Sequence, residues 1–261
     1  MAYGLLFAIA GRNFCLGWDL LFMNERDKKL VLCPQVKGII DRVVILFYSG
    51  STCTGTLLDD SQTVLTVRHL FGGSVPPLYT PVTVRKFPYH LPETVYLTYF
   101  HPHLDVAILS PHRDNTPIPR LPASVPSMTC QDVLAIGFGR ESYSEHLFGE
   151  FELLLPTVRR GVVSKEIRHR DSVFYFKTDL DLYNGFSGCA VWAGQAMVGM
   201  AVFILKSAID HRNHHRHNFS LALSQIQHYL TNPSVPQETL TFLQEMDAVT
   251  TRRVIRIVSK L

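Results

Sequence analysis

The chain has 261 residues, 46% hydrophobic and 18% charged, enough apolar material for one large β domain or two small lobes with a substantial core. Its formal net charge of +3 is too small to argue for nucleic acid, which asks for a concentrated basic face. No apolar run reaches the roughly 18 residues of a membrane span.

Residues 1–37 mix apolar runs with a charged stretch, Asn24–Lys29, and read as an extension in front of the main fold. From Gly38 onward the pattern changes. Val43–Tyr48, Thr52–Leu58, Thr63–Val67, Val82–Phe87, Val95–Phe100 and Val106–Leu109 are short β-rich runs, separated by turn residues such as Gly50-Ser51 and Asp59-Asp60-Ser61. Strands at this spacing point to a barrel or sandwich. Residues 111–126, with five prolines, read as a crossing between lobes. Strands then resume at Val133–Gly137, Phe151–Leu155, Gly161–Lys165, Val173–Lys177, Ala190–Trp192, Met197–Leu205 and Phe219–Leu223. Leu223, Ile226 and Leu230 recur at helical spacing and predict a closing helix over Ser224–Leu230. Ser234 with Gln237 resembles a capping box that starts another helix running to about Met246. Arg252–Lys260 alternates apolar and basic residues as a last strand would. The expected architecture is all-β: two antiparallel six-stranded barrels, 38–110 and 127–223, closed by a helix, with a helical tail over 231–261.

Five cysteines, Cys15, Cys33, Cys53, Cys130 and Cys189, leave at least one unpaired within the chain, and none has zinc-ligand spacing. A cytoplasmic or other reducing compartment is the simpler reading. Met1–Ala10 is apolar but short and has no basic residue ahead of it, a poorly formed secretory signal that leaves secretion open. The sequon at Asn218 falls where a strand begins and is taken as chance. The histidine-rich stretch His211–His217 reads as a charged hairpin tip in preference to a metal site, and no metal or other cofactor is expected.

Three segments carry chemistry. Asn184-Gly185-Phe186-Ser187-Gly188 sets a serine between glycines and ahead of the apolar run Ala190–Trp192, where small residues let the backbone turn tightly and bring N–H groups toward a developing oxyanion. His69 follows directly on the β-rich run Thr63–Val67. Asp105 stands at the head of the apolar run Val106–Leu109, where a carboxylate is costly to bury without a partner.

The phrases VLTVRH, LDVAIL and NGFSG, in that order, resemble the catalytic segments of trypsin-like serine proteases of the chymotrypsin fold. DVLAIGFG, RRGVVSKE, KTDLDLYNGFSG, VGMAVF and NFSLALSQI are similar to HtrA-type protease segments, so the resemblance covers about residues 40–230. It implies a serine endopeptidase acting on protein or peptide through an acyl-enzyme, with Ser187 as nucleophile, His69 as general base and Asp105 orienting it. It implies an oxyanion hole from the N–H groups of Gly185 and Ser187. It also implies a substrate-pairing strand at Gly199–Val202, with Gly199, Ala201 and Val202 as binding residues. Asp181, six residues before Ser187, matches the position that places a carboxylate at the base of the trypsin pocket and would favour Arg or Lys. HtrA-type enzymes, by contrast, usually prefer small aliphatic side chains.

The departures from the family are informative. Phe186 replaces the aspartate that pairs with a new N-terminus in secreted trypsins, so activation by propeptide cleavage is not expected. Leu70 after His69 removes one partner of a family disulfide. About 30 residues follow Leu230, too few for a PDZ domain. Homo-oligomers form through N-terminal segments in HtrA-type enzymes, and residues 1–37 stand where that would occur. Two alternatives remain: a catalytically idle pseudoprotease used as a binding module, and Cys189 as the nucleophile.

Overall fold

Six strands between residues 43 and 110 close on themselves. They are β1 (Val43–Tyr48), β2 (Ser51–Leu57), β3 (Val64–Thr66), β4 (Pro81–Lys86), β5 (Glu93–Phe100) and β6 (Ala107–Ser110), joined in the cyclic order β1-β2-β3-β6-β5-β4. The computed structural model describes residues 34–58, 62–72, 76–86, 92–113, 121–122, 128–138, 143–144, 153–154, 156–206 and 216–246. Two further strands, β8 (Tyr143–Ser144) and β9 (Leu153–Leu154), pair only with each other. The second barrel closes as β10-β11-β14-β13-β12-β7, from β7 (Asp132–Gly137), β10 (Thr157–His169), β11 (Ser172–Thr178), β12 (Ala190–Ala193), β13 (Ala196–Lys206) and β14 (Arg216–Ala222). Every pairing is antiparallel. The expected pair of six-stranded barrels is therefore present.

Two expectations about strands need correction. Of the run Phe151–Leu155, the described residues Leu153–Leu154 pair with β8 and belong to neither barrel. The sixth position falls to a longer β10, which begins at Thr157, well before the expected Gly161. The first half of β10 pairs with β7 and the second half with β11, with a register shift between Val163 and Lys165 where the strand changes partner. A bend of that kind spoils simple alternation, and Arg159 and Arg160 further hide the strand.

One core cluster runs through the first barrel and on to the outer face of the second, while a smaller one fills the second barrel's interior around Phe176, Leu180, Leu182, Phe186, Cys189 and Val191. Helix α1 (Pro34–Ile40) buries Val36, Ile39 and Ile40 in the larger cluster, so the main fold reaches back before Gly38. Helix α2 (Leu223–Thr231) matches the expected closing helix and buries Leu223, Ile226, Tyr229 and Leu230.

Residues 237–246 form helix α3, whose Leu243 joins the same core and whose Phe242 stacks on His169 at 4.7 Å. Arg170 and Glu238 pair at 2.6 Å beside that stack. Helix α3 is thus part of the packed domain. The N-terminal extension up to residue 33, the strand expected at Arg252–Lys260 and the histidines at 211, 214 and 215 lie outside the described residues.

Candidate active site

The site is assembled where the two barrels meet. β3 ends at Thr66, and a single 3-10 turn, Arg68–Phe71, swings His69 out of the barrel wall. Against that turn lies the loop His101–Val106, which joins β5 to β6. There the His101 N–H donates to the Val106 carbonyl at 2.9 Å and the Val106 N–H to the Leu104 carbonyl at 2.8 Å. Burial of Leu104 turns the neighbouring Asp105 the other way, toward His69. Asp105 meets His69 twice: its Oδ1 accepts the His69 backbone N–H at 2.9 Å, and its Oδ2 lies 2.6 Å from His69 Nδ1. The carboxylate therefore fixes both the backbone and the ring of the histidine and holds the proton on Nδ1, which leaves the Nε2 lone pair facing outward. The imidazole is half exposed and Asp105 about a quarter exposed, so the pair is open to solvent.

The serine loop arrives from the other barrel. Gly188 has φ of +88°, and a Cβ there would lie 2.1 Å from the Thr54 carbonyl oxygen and 2.6 Å from Thr66 Oγ1. That close approach seats Ser187-Gly188 on β2 and β3, the segment leading to His69. The Thr54 N–H donates to the Ser187 carbonyl at 3.0 Å, and the Gly188 N–H to the Ala201 carbonyl at 2.8 Å. Within the loop, Phe186 N–H reaches the Tyr183 carbonyl at 3.1 Å and Cys189 N–H the Phe186 carbonyl at 2.9 Å. Gly185 has φ of +101°. Among the described residues, the N–H groups of Gly185 and Ser187 have no partner, in a loop whose other N–H groups at 186, 188 and 189 are all engaged.

Two threonines of β2 that sequence reading passed over tie this loop in place. The Thr54 hydroxyl donates to the Gly185 carbonyl at 2.8 Å and accepts the Phe138 N–H at 2.9 Å. Thr56 Oγ1 accepts the Ala190 N–H at 3.0 Å. Both side chains are buried. Strand threonines are common as β formers, so residue type carries no sign of this bridging role. Replacing Thr54 by Val keeps the shape and strands the Gly185 carbonyl. The expected result is a loss of about 1–3 kcal/mol in urea unfolding. A fall in kcat of between about tenfold and a hundredfold should accompany it, as the Gly185 peptide shifts. Unchanged kcat in a destabilised Thr54→Val protein would show that the bridge serves folding alone.

Phe186 is 1% exposed and packs inside the second barrel, where a Cβ on Gly137 would meet it at 2.8 Å. An apolar anchor thus occupies the position before the serine. Cys189 is fully buried and its thiol is pushed up by that burial, which withholds the thiolate a nucleophile needs. Cys53, also buried, is pushed up to about 12 chiefly by desolvation, against a lowering hydrogen bond with Thr66 Oγ1 at 3.2 Å. Cys53, Cys130 and Cys189 are free thiols. Asn218 is buried and its amide donates to the Leu180 carbonyl, so the sequon is inaccessible in the folded chain.

The substrate-binding residues need one correction. At Gly199–Ala201 both edges of β13 are already occupied. Val191 and Ala222 flank Gly199, while Ala201 exchanges hydrogen bonds with Gly188 and Cys189 on one side and pairs with Ser220 on the other. The backbone of Gly199 and Ala201 has no free edge to offer a peptide. Beyond Ala201 the pairing of β13 continues with β14 alone, through Phe203, Ile204 and Leu205, so the open edge starts at Val202. Asp181 is exposed and its Oδ2 accepts the Tyr183 hydroxyl at 2.6 Å. Tyr183 in turn carries the Arg159 guanidinium over its ring at 5.0 Å.

The sequence pattern of the trypsin-like peptidase domain matches residues 53–200, more than half of the chain and all three of His69, Asp105 and Ser187. The chain belongs to this family. It is by that membership a serine endopeptidase, a hydrolase of the trypsin-like class. No curated protein sequence matches it. Among solved structures, the Rv3671c protease of M. tuberculosis in an inactive form is similar at 21% identity and a TM-score of 0.56, covering 79% of this chain and 95% of that one. Its active form is similar at 20% identity and a TM-score of 0.55, over 80% of this chain and 87% of that one. The HtrA-type protease AlgW, solved with a tripeptide, follows at 18% identity and a TM-score of 0.53, over 77% of this chain and 64% of that longer one. At these identities the likeness is one of fold, and it includes the HtrA-type branch that the sequence segments resemble. No helix among the described residues is long and apolar enough to cross a membrane.

Proposed function

We propose that the chain cleaves peptide bonds through Ser187, His69 and Asp105 by way of an acyl-enzyme. The observation that carries this reading is the double hold of Asp105 on His69, 2.9 Å to the backbone N–H and 2.6 Å to Nδ1, beside a serine loop seated on the same β2–β3 surface. Ser187 Oγ attacks the scissile carbonyl while His69 Nε2 takes its proton. Asp105 stabilises the resulting imidazolium, and the proton passes to the leaving amine as the tetrahedral species collapses. Water then enters by the same route in reverse and frees the acid. The unpartnered N–H groups of Gly185 and Ser187 receive the oxyanion, at about 3–4 kcal/mol of transition-state stabilisation per donor. A fluorophosphonate probe tests the reading: the wild type is expected to label on Ser187, and a folded protein that takes no label would be an idle member of the family.

The substrate is an extended peptide added as a strand to the open edge that begins at Val202. Asp181 is an exposed charge whose Oδ2 accepts the Tyr183 hydroxyl. A screened surface carboxylate contributes about 0.2–1 kcal/mol to pairing with a basic side chain, under the 1.4 kcal/mol that corresponds to tenfold. Cleavage profiling of a peptide library is therefore expected to show that Asp181→Ala changes the ratio of Arg or Lys to Val cleavage by less than about tenfold. A larger change would put the carboxylate at the base of the pocket.

The buried Phe186 holds the serine loop without a charged partner, so the intact chain is expected to react with the probe while still carrying Met1. Mass spectrometry of the labelled species checks this. Labelling confined to chains cut near residues 37–42 would show that activation by cleavage operates after all.

A further inference from the structure

One buried ionisable side chain near the site has no part in the steps above. His101 is 1% exposed and lies four residues before Asp105, in the loop that delivers it. Its Nδ1 is 3.1 Å from the His103 backbone nitrogen and 2.9 Å from that of Leu104, with both N–H groups directed at it. An imidazole nitrogen that accepts two N–H groups carries no proton, so the ring is neutral and its hydrogen is on Nε2. The Nε2–H is buried with no hydrogen-bond partner among the described residues. The ring instead meets Tyr229 of α2 edge to face at 5.9 Å, and His103 at 6.2 Å. Outside the ring, the Arg68 guanidinium donates to the carbonyls of His101 and Pro102, which locks the same loop to the residue preceding His69. Burial lowers the His101 pKa to about 4, helped by the neighbouring charges of His103 and Arg68.

A buried, unpaired Nε2–H is a cost. Plain core packing would be met better by Leu or Phe. What the imidazole supplies, and a hydrocarbon does not, is an acceptor for two adjacent N–H groups in a turn too tight to pair them with carbonyls. We propose that His101 is a positioning residue for Asp105: as the neutral Nε2–H tautomer it caps the His103 and Leu104 N–H groups and so fixes the turn from which Asp105 grips His69. Tyr229 backs the ring, so helix α2 of the second barrel supports the aspartate of the first. The catalytic consequence rests on the triad reading given above, whereas the structural claim about Asp105 does not.

Two isosteric variants separate capping from packing. In His101→Asn the Oδ1 occupies the place of Nδ1 and still accepts; in His101→Leu a methyl group stands there. With a peptide that the wild type cleaves, His101→Leu is expected to lower kcat between about tenfold and a hundredfold, with KM within about twofold. His101→Asn is expected to restore kcat to within about threefold of wild type. The low-field proton resonance of the His69 Nδ1–H bound to Asp105 should persist in the Asn variant and broaden or vanish in the Leu variant. Equal kcat and equal resonance in the two variants would overturn the proposal. The nitrogen-15 shifts of His101 in the unaltered protein give a test that needs no variant to fold: a neutral Nε2–H tautomer at pH 6 is expected, and a protonated ring or an Nδ1–H tautomer would overturn it. If the wild type cleaves no peptide and takes no fluorophosphonate, the triad reading fails, and the two NMR measurements still decide the role of His101.

Discussion

Replacing Ser187 by Ala is expected to lower kcat/KM by about 10⁴–10⁶-fold while leaving the fold intact. The hydroxyl is the one group in the loop able to form the acyl bond. Its removal also disables His69, which then has no proton to accept, so a further His69→Ala change should add little. Such non-additivity marks residues that act as one unit. Stability should barely move. The fixed points of the loop are the Ser187 carbonyl, which accepts the Thr54 N–H, the Gly188 N–H, which donates to Ala201, and the buried Phe186, and none involves the hydroxyl. The measurement is hydrolysis of casein or a peptide library alongside urea unfolding. Turnover at the wild-type rate by Ser187→Ala would remove the serine from the mechanism.

Features with strong local patterning were visible in the sequence. The β-branched runs that became β1, β5, β6, β7 and β11, and the histidine, aspartate and serine segments, each carry their signal in adjacent residues. The features that escaped depend on partners far apart in the chain. Thr54 reads as an ordinary strand threonine until Gly185, 131 residues away, is set against its hydroxyl. Gly199 and Ala201 sit in a strand that resembles a substrate-pairing one, and only the arrangement of β12 and β14 shows that both edges are taken at that point. Phe151–Leu155 is apolar enough for a barrel strand, but β10 takes the place with a bent strand that starts at Thr157, in a stretch with two arginines. The helix expected near the C-terminus formed as α3, and its docking through Phe242 onto His169 could not be read from an amphipathic pattern that names no partner.

Gly188→Ala is expected to be strongly damaging for a single added methyl group. The position combines two separate demands on glycine. Its φ of +88° is one that L side chains rarely adopt, and its Cβ would sit 2.1 Å from a backbone carbonyl oxygen, well inside the 3.0 Å that real Cβ atoms respect. Strain of the first kind alone costs on the order of 1–3 kcal/mol. The second cannot be relieved by turning a side chain, because the obstructing atom is the Thr54 carbonyl oxygen, part of buried β2 and itself bonded by Thr66 Oγ1 at 3.0 Å. The loop must back away by about 1 Å, and displacement on that scale at a reacting group costs about 10²-fold in rate. In retreating it stretches the bond of Thr54 to Ser187, which joins the two barrels, and that of Gly188 to Ala201 within the second. Gly50 supplies the control, with φ of +79° and nothing within 4 Å of its Cβ position. Gly50→Ala is expected to show the backbone strain alone, lowering stability by about 1–3 kcal/mol with kcat unchanged. Gly188→Ala should lose more stability in the same urea titration and lower kcat/KM by about 10²-fold or more. If the two variants lose equal stability and both keep wild-type kcat, then the close seating of the serine loop on β2 and β3 does not set the position of Ser187.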